Sequence, residues 1–280
     1  MKRRVLTGIC ITALTFAVIF SGKEIFDAAC ALLAGIAVYE IYGAFRAKGF
    51  RPTYLAGYIA CVCMLLGAVE YWDRRVWMWL RNIIMFVDIR VLLYLSLLMM
   101  FCLLILGVKK YTVADLAVTI LGAFYVCFLF WYLIMVRNLY AGLYAVWFVY
   151  LGAAATDTGA YFVGTYFGRH KLMPQISPKK TVEGALAGVL ACMLVFALYG
   201  AFVFDRYAYH NALWQYISMG LICGVIAQIG DLAASSIKRY CGIKDFGKIL
   251  PGHGGILDRV DSVILIAPMI YIILTILHKV

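Results

Sequence analysis

The stretch VLTGICITALTFAVIF, residues 5–20, carries no charge, and its apolar side chains would cover every face of a helix. A helix that is apolar all round belongs in a large core or in a bilayer. The stretch follows MKRR, as a secretion signal would, but it lacks a convincing cleavage site and runs directly into a second apolar stretch. It is therefore expected to be a retained membrane helix. The whole chain repeats this character. Hydrophobic residues make up 65% and charged residues 14% of the 280 residues, with a mean hydropathy of +0.93. Soluble domains are about 45–50% apolar and about 25% charged, so an ordinary water-solvated fold is excluded.

Crossing a hydrocarbon core of about 30 Å takes about 20 mainly apolar residues. Nine such runs are expected as spans, near 5–22, 25–45, 53–71, 91–108, 113–136, 141–167, 182–204, 212–237 and 260–278. The fold class is all-α, a polytopic integral membrane protein with about nine transmembrane helices. Residues 1–140 supply N-terminal helices and 141–280 the catalytic region of a single membrane domain. The charged segment RRVWMWLRNIIMFVD, 74–88, is too short to cross and is expected in the interface, with Trp77 and Trp79 at headgroup level. Nine cysteines raise the question of disulfides, but all except Cys241 lie inside apolar runs and no CxxC occurs. They read as small apolar helix residues.

With nine spans, most of the 25 lysines and arginines fall on the face that holds the N-terminus. The positive-inside rule makes that face cytoplasmic. The net charge of +11 says nothing further, since basic loops beside anionic lipid are common.

The 14 acidic residues are more telling, because an acid at the centre of a bilayer costs about 2.5–3.5 kcal/mol on insertion scales. Asp157, Glu183, Asp231, Asp245, Asp258 and Asp261 crowd into two segments of the C-terminal half. In IGDLAASSIKRY, helical spacing puts Asp231, Ser235 and Lys238 on one face, with Arg239 beside them. ILDRVDS then opens the last run, and Asp258 and Asp261 can point inward from one helical turn. Two helix ends would bring Asp231 and Asp258 together, in a setting suited to a hard divalent cation and phosphate oxygens. Between them, KDFGKILPGHGGI carries Lys244 and Lys248 for phosphate charge. Its Gly247, Gly252, Gly254 and Gly255 would let the backbone approach a ligand closely. It is not a Walker A loop. A lone loop histidine such as His253 is more often a structural donor than a general base. In the second polar segment, Ser177 to Thr181 form a phosphate-friendly patch, Thr181 is a candidate cap for the next helix, and Gly164, Gly168, Gly184 and Gly188 suit close helix packing.

SSIKRYCGIKDFGKILPGHGGILDRVD, residues 235–261, resembles the diagnostic motif of the phosphatidate cytidylyltransferases, or CDP-diacylglycerol synthases, at every fixed position. DTGAYFVGTYFGRHK and SPKKTVEG resemble that family's second characteristic region. The resemblance implies an integral membrane enzyme that joins CTP to phosphatidic acid in phospholipid biosynthesis, giving CDP-diacylglycerol and pyrophosphate. It implies Mg²⁺, with K⁺ as a second candidate ion, a metal centre on Asp231 and Asp258, and Ser235, Lys238 and Asp261 around it. Substrate contacts are expected from Lys179, Lys180, Thr181, Arg239, Lys244, Asp245, Lys248, His253, Gly254, Gly255 and Arg259. The expected setting is a bacterial inner (plasma) membrane with the active-site loops cytoplasmic. A homodimer is the assembly considered, and nucleic acid is not an expected partner. The rival readings are another CTP-dependent lipid enzyme, such as a polyprenol kinase or an ether-lipid CDP synthase, and a cation-coupled transporter. The transporter would predict an inverted repeat, and the glycine-rich loop has no second copy.

Overall fold

A computed structural model describes residues 2–68, 89–107, 110–208, 211–250 and 252–278; the expected interfacial segment at 74–88 lies outside them. Each of the nine apolar runs is helical: α1 (Lys2–Phe20), α2 (Lys23–Ala47), α3 (Tyr54–Ala68), α4 (Ile89–Leu106), α5 (Val113–Asn138), α6 (Gly142–Tyr166), α7 (Val182–Tyr207), α8 (Leu213–Tyr240) and α9 (Leu257–His278). Of these, α2, α5, α7, α8 and α9 are long and apolar enough to cross a membrane. The α5 and α7 helices each contain a π turn, at Phe124–Phe128 and Gly200–Phe204. Along α7, Leu186, Leu190, Leu194 and Leu198 form an exposed stripe at four-residue spacing, as a lipid-facing surface requires.

The chain divides into two compact units. The first comprises residues 1–134 and 240–258, and the second residues 135–239 and 259–280.

The first unit is built around Tyr42 on α2, which is fully buried. Its hydroxyl donates to the Thr119 carbonyl at 2.7 Å. Gly57 on α3 and Gly122 on α5 flank its ring so closely that a Cβ at either would lie 2.7 Å or less from α2 side chains. A capping box starts α5, where Thr112 and Asp115 satisfy each other's backbone N–H. Asp115 also accepts from the Arg51 N–H at 2.6 Å, which fixes the α2–α3 connection to that helix end.

In the second unit, glycines set how closely the helices approach. Gly164 and Gly188 bring α6 and α7 into backbone contact; a Cβ on Gly188 would sit 2.7 Å from the Thr156 carbonyl oxygen. Gly220 likewise brings α8 close to α7; a Cβ there would lie 2.6 Å from the Met193 Cα. Such small-residue seams let helices associate in lipid, where apolar burial offers no net drive. Between α6 and α7 lies a hairpin of β1 (Lys171–Met173) and β2 (Ser177–Thr181), paired antiparallel. Glu183 on the first turn of α7 holds its base, accepting from the Arg169 and His170 N–H groups and pairing with His170 Nδ1 at 2.6 Å. Thr181 caps α7 as expected, accepting from the Gly184 N–H at 3.2 Å.

Replacing Gly188 by valine forces a side chain into the α6–α7 seam. The expected loss is about 1–3 kcal/mol of stability, read as a lower thermal midpoint in detergent. Leu190→Ala, on the exposed side of the same helix, is expected to stay within about 0.5 kcal/mol of the parent.

Candidate active site

In the second unit, the α8 carboxylate of Asp231 pairs with Lys180 Nζ of β2 at 2.5 Å. Asp231 is within electrostatic reach of Asp157 on α6 and of Asp261 on α9, and Asp157 and Asp261 act on each other. Basic groups are interleaved among the acids. Lys180 and Arg259 act on Asp157, and Lys238 acts on Asp261. Asp261 and Lys238 are both buried, and Asp261 Oδ1 accepts from the Ser262 N–H at 2.7 Å. Gly230 keeps this arrangement tight, since a Cβ there would lie 2.9 Å from the Asp261 carbonyl oxygen and 3.2 Å from the Ser262 Cα. A cavity of about 240 Å³ opens beside the pair, bordered by Asp157, Lys179, Lys180, Thr181 and Gln228 among others. Gln228 Nε2 donates to the Ala185 carbonyl at 2.8 Å, and Arg239 Nε donates to the Ile176 carbonyl at 3.3 Å, joining α8 to α7 and to the hairpin turn. Ser235 is half-buried on α8 between Asp231 and Lys238.

The first unit holds the glycine-rich loop. Leu250 and Gly254 bridge as a tight turn, with the Leu250 N–H donating to the Gly254 carbonyl and the His253 N–H to the Leu250 carbonyl, both at 2.9 Å. Gly252 and Gly254 have φ of 77° and 84°, the left-handed region that favours glycine. Asp258 Oδ2 accepts from the Phe246 N–H at 2.8 Å and from the Gly255 N–H at 3.0 Å, folding the loop onto the start of α9. Lys244, Asp245 and Lys248 are exposed. His253 Nδ1 is buried with no hydrogen-bond partner among the described residues.

The expected site residues thus fall into two groups. Asp231, Ser235, Lys238, Asp261, Lys179, Lys180, Thr181, Arg239 and Arg259 belong to the second unit, and Lys244, Asp245, Lys248, His253, Gly254, Gly255 and Asp258 to the first. The first unit also contains a residue that reading the sequence passed over. Glu40 of α2 is only 3% exposed, and its carboxylate accepts from the Ile256 N–H at 3.0 Å and the Leu257 N–H at 2.9 Å. The available signal was an acid inside an apolar run, which α2 carries twice, at Asp27 and at Glu40.

Fold and chemistry together define a polytopic membrane protein whose polar side chains, acidic and basic in alternation, suit phosphate and a cation. The profile described as the Cytidylyltransferase family matches residues 2–277. A protein of Bacillus subtilis strain 168 named phosphatidate cytidylyltransferase is 33% identical over 279 residues, covering 98% of this chain and 97% of its own. One of the same name from Staphylococcus epidermidis strain RP62A is 32% identical over 98% of this chain and 99% of its own length. A third, from Staphylococcus saprophyticus, reaches 40% over 170 residues, which is 61% of this chain and 63% of that relative. The chain belongs to the cytidylyltransferase family, and the similarity first visible at residues 235–261 extends over its whole length.

Gly230→Ala tests the α8–α9 contact. Its methyl group displaces Asp261 relative to Asp231, and cytidylyltransferase turnover is expected to fall about a hundredfold. Helix content by circular dichroism should be unchanged.

Proposed function

We propose that this chain transfers the cytidylyl group of CTP to phosphatidic acid, producing CDP-diacylglycerol and pyrophosphate in an Mg²⁺-dependent step of phospholipid biosynthesis. The observation that carries the reading is the match, over nearly the full length of both chains, to bacterial proteins named phosphatidate cytidylyltransferase.

The reaction joins two anions. An oxygen of the lipid phosphate attacks the α-phosphorus of CTP, the new oxygen–phosphorus bond forms in line with the bond that breaks, and the β,γ-pyrophosphate leaves with that electron pair. The lipid phosphate is already a competent nucleophile near neutral pH, so no covalent enzyme intermediate is invoked. The protein's task is positioning and charge compensation. Lys179 and Lys180, at the rim of the 240 Å³ cavity, are assigned to phosphate oxygens. Lys238, held buried near Asp261, and Arg239, fixed to the hairpin turn, are assigned to the developing charge on pyrophosphate. Lys244 and Lys248 are exposed on the loop, where they can meet incoming nucleotide.

Asp231 and Asp258 are the proposed Mg²⁺ ligands. The donors fit the ion: Asp231 already attracts a cation, the Lys180 ammonium, and two further carboxylates lie within electrostatic reach. Among the described residues no cluster of three or more histidine, cysteine or acidic side chains forms a ready metal cage. Mg²⁺ does not need one, since it is commonly bound by one or two carboxylates, waters and substrate phosphates. When bound, the ion supplies Lewis-acid stabilisation of phosphoryl charge. K⁺ is proposed as an accessory ion. The active-site loops are proposed to face the cytoplasm of a bacterial inner membrane, where CTP is available.

Purified protein supplied with labelled CTP, phosphatidate and Mg²⁺ should yield CDP-lipid and pyrophosphate. Failure to form either would overturn the reading. Asp231→Asn and Asp258→Asn are each expected to lower turnover by at least about a thousandfold while the protein stays monodisperse in detergent, and near-normal activity in either would remove that carboxylate from the metal site.

A further inference from the structure

We infer that Glu40 is a positioning residue: it fixes the glycine-rich loop and the first turn of α9, and through them the reactive placement of Asp258. The inference rests on the assignment of Asp258 to the active site made above, and no motif in the sequence contains Glu40.

A buried carboxylate is unfavourable unless its oxygens are fully engaged. Glu40 is nearly inaccessible, and each of its oxygens receives one backbone N–H: Ile256 donates to Oε1 and Leu257 to Oε2. These N–H groups stand at the start of α9, where a helix has no internal acceptors to offer and a partial positive charge accumulates. The usual solution is a serine, threonine, asparagine or aspartate just before the helix. Here that position is Ile256, which offers no acceptor, and Glu40 supplies one from α2 instead.

The loop is shaped to admit this carboxylate. A Cβ on Gly247 would lie 2.2 Å from Glu40 Oε1, and a Cβ on Gly255 would lie 2.5 Å from both Oε1 and Oε2. Two of the loop's glycines thus have a local reason that involves no ligand. Gly255, Ile256 and Leu257 then form an unbroken series of peptide N–H groups, the first held by Asp258 and the next two by Glu40. Asp258 therefore cannot change position without disturbing the bonds to Glu40. Glu40 is also close enough to Asp258 for the two carboxylates to interact electrostatically. A neutral residue at position 40 alters both the geometry and the field at Asp258.

Glu40→Gln has nearly the same shape, but its amide has only one accepting oxygen, and its NH₂ group would confront a backbone donor. Two measurements on the full-length protein in detergent test the inference. Hydrogen–deuterium exchange should show faster uptake across 245–258 in Glu40→Gln, with α6 to α8 exchanging as in the parent. Turnover with CTP and phosphatidate should fall at least tenfold in kcat, with KM for CTP changed less than threefold. Gly255→Ala pushes on the same carboxylate from the loop side. It should give the same pair of changes, and it keeps the test decisive if Glu40→Gln folds poorly. Unchanged loop exchange in both variants would overturn the inference, as would faster loop exchange with parental kcat. A uniform rise in exchange across all helices, with normal turnover per folded molecule, would likewise reduce Glu40 to a stability role. If the parent makes no CDP-lipid, the proposed reaction fails, and Glu40 loses its role in turnover; the exchange measurement still decides whether it anchors the loop.

Discussion

A charge that enters hydrocarbon has to be matched within the protein, because no water is there to do it. This chain has few charges, and the arrangement of its polar interior follows from how they are matched. The Glu40 carboxylate is matched by peptide N–H groups, Asp231 by the Lys180 ammonium, and Asp115 by the Arg51 N–H together with its own helix cap. Each pairing ties one helix to a distant part of the sequence, so stabilisation of the charges and tertiary structure are achieved by the same contacts.

These pairings depend on close approach, and close approach depends on glycine. Gly247 and Gly255 leave room for Glu40, Gly230 leaves room for the α9 backbone beside Asp261, and Gly220 and Gly188 leave room for neighbouring helices. In lipid, such contacts rely on packing and hydrogen bonding, because the surrounding acyl chains are as apolar as the helix surfaces. The exposed leucine stripe of α7 and its glycine-lined opposite side express the same division of labour: bulk toward lipid and small residues toward protein.

Much of this was legible in the residues. Uncharged runs of sufficient length identify helices without tertiary information, and all nine expected runs are helical. The Thr181 cap and the Gly164 and Gly188 seam follow from local chemistry and spacing, and the 27-residue pattern ending at Asp261 pointed to the family. Glu40 was not legible as a loop anchor, because its partners are backbone N–H groups, which every residue but proline carries and no sequence distinguishes. The Lys180–Asp231 pair was hidden for a related reason: each residue stood out within its own segment, but only the hairpin between α6 and α7 brings that lysine to α8. The π turn of α5 adds a residue to a helical turn with no glycine or proline within it as a marker, whereas that of α7 begins at Gly200.

The contact between Glu40 and the start of α9 spans 216 residues. A ribosome adding about 5–20 residues per second needs roughly 10–40 s to cover that distance. During synthesis α2 is therefore complete long before the peptide that matches its acid exists. The cellular insertion machinery has to tolerate an unmatched carboxylate in a nascent span for that whole interval, and the first unit closes only when nearly the entire chain has emerged.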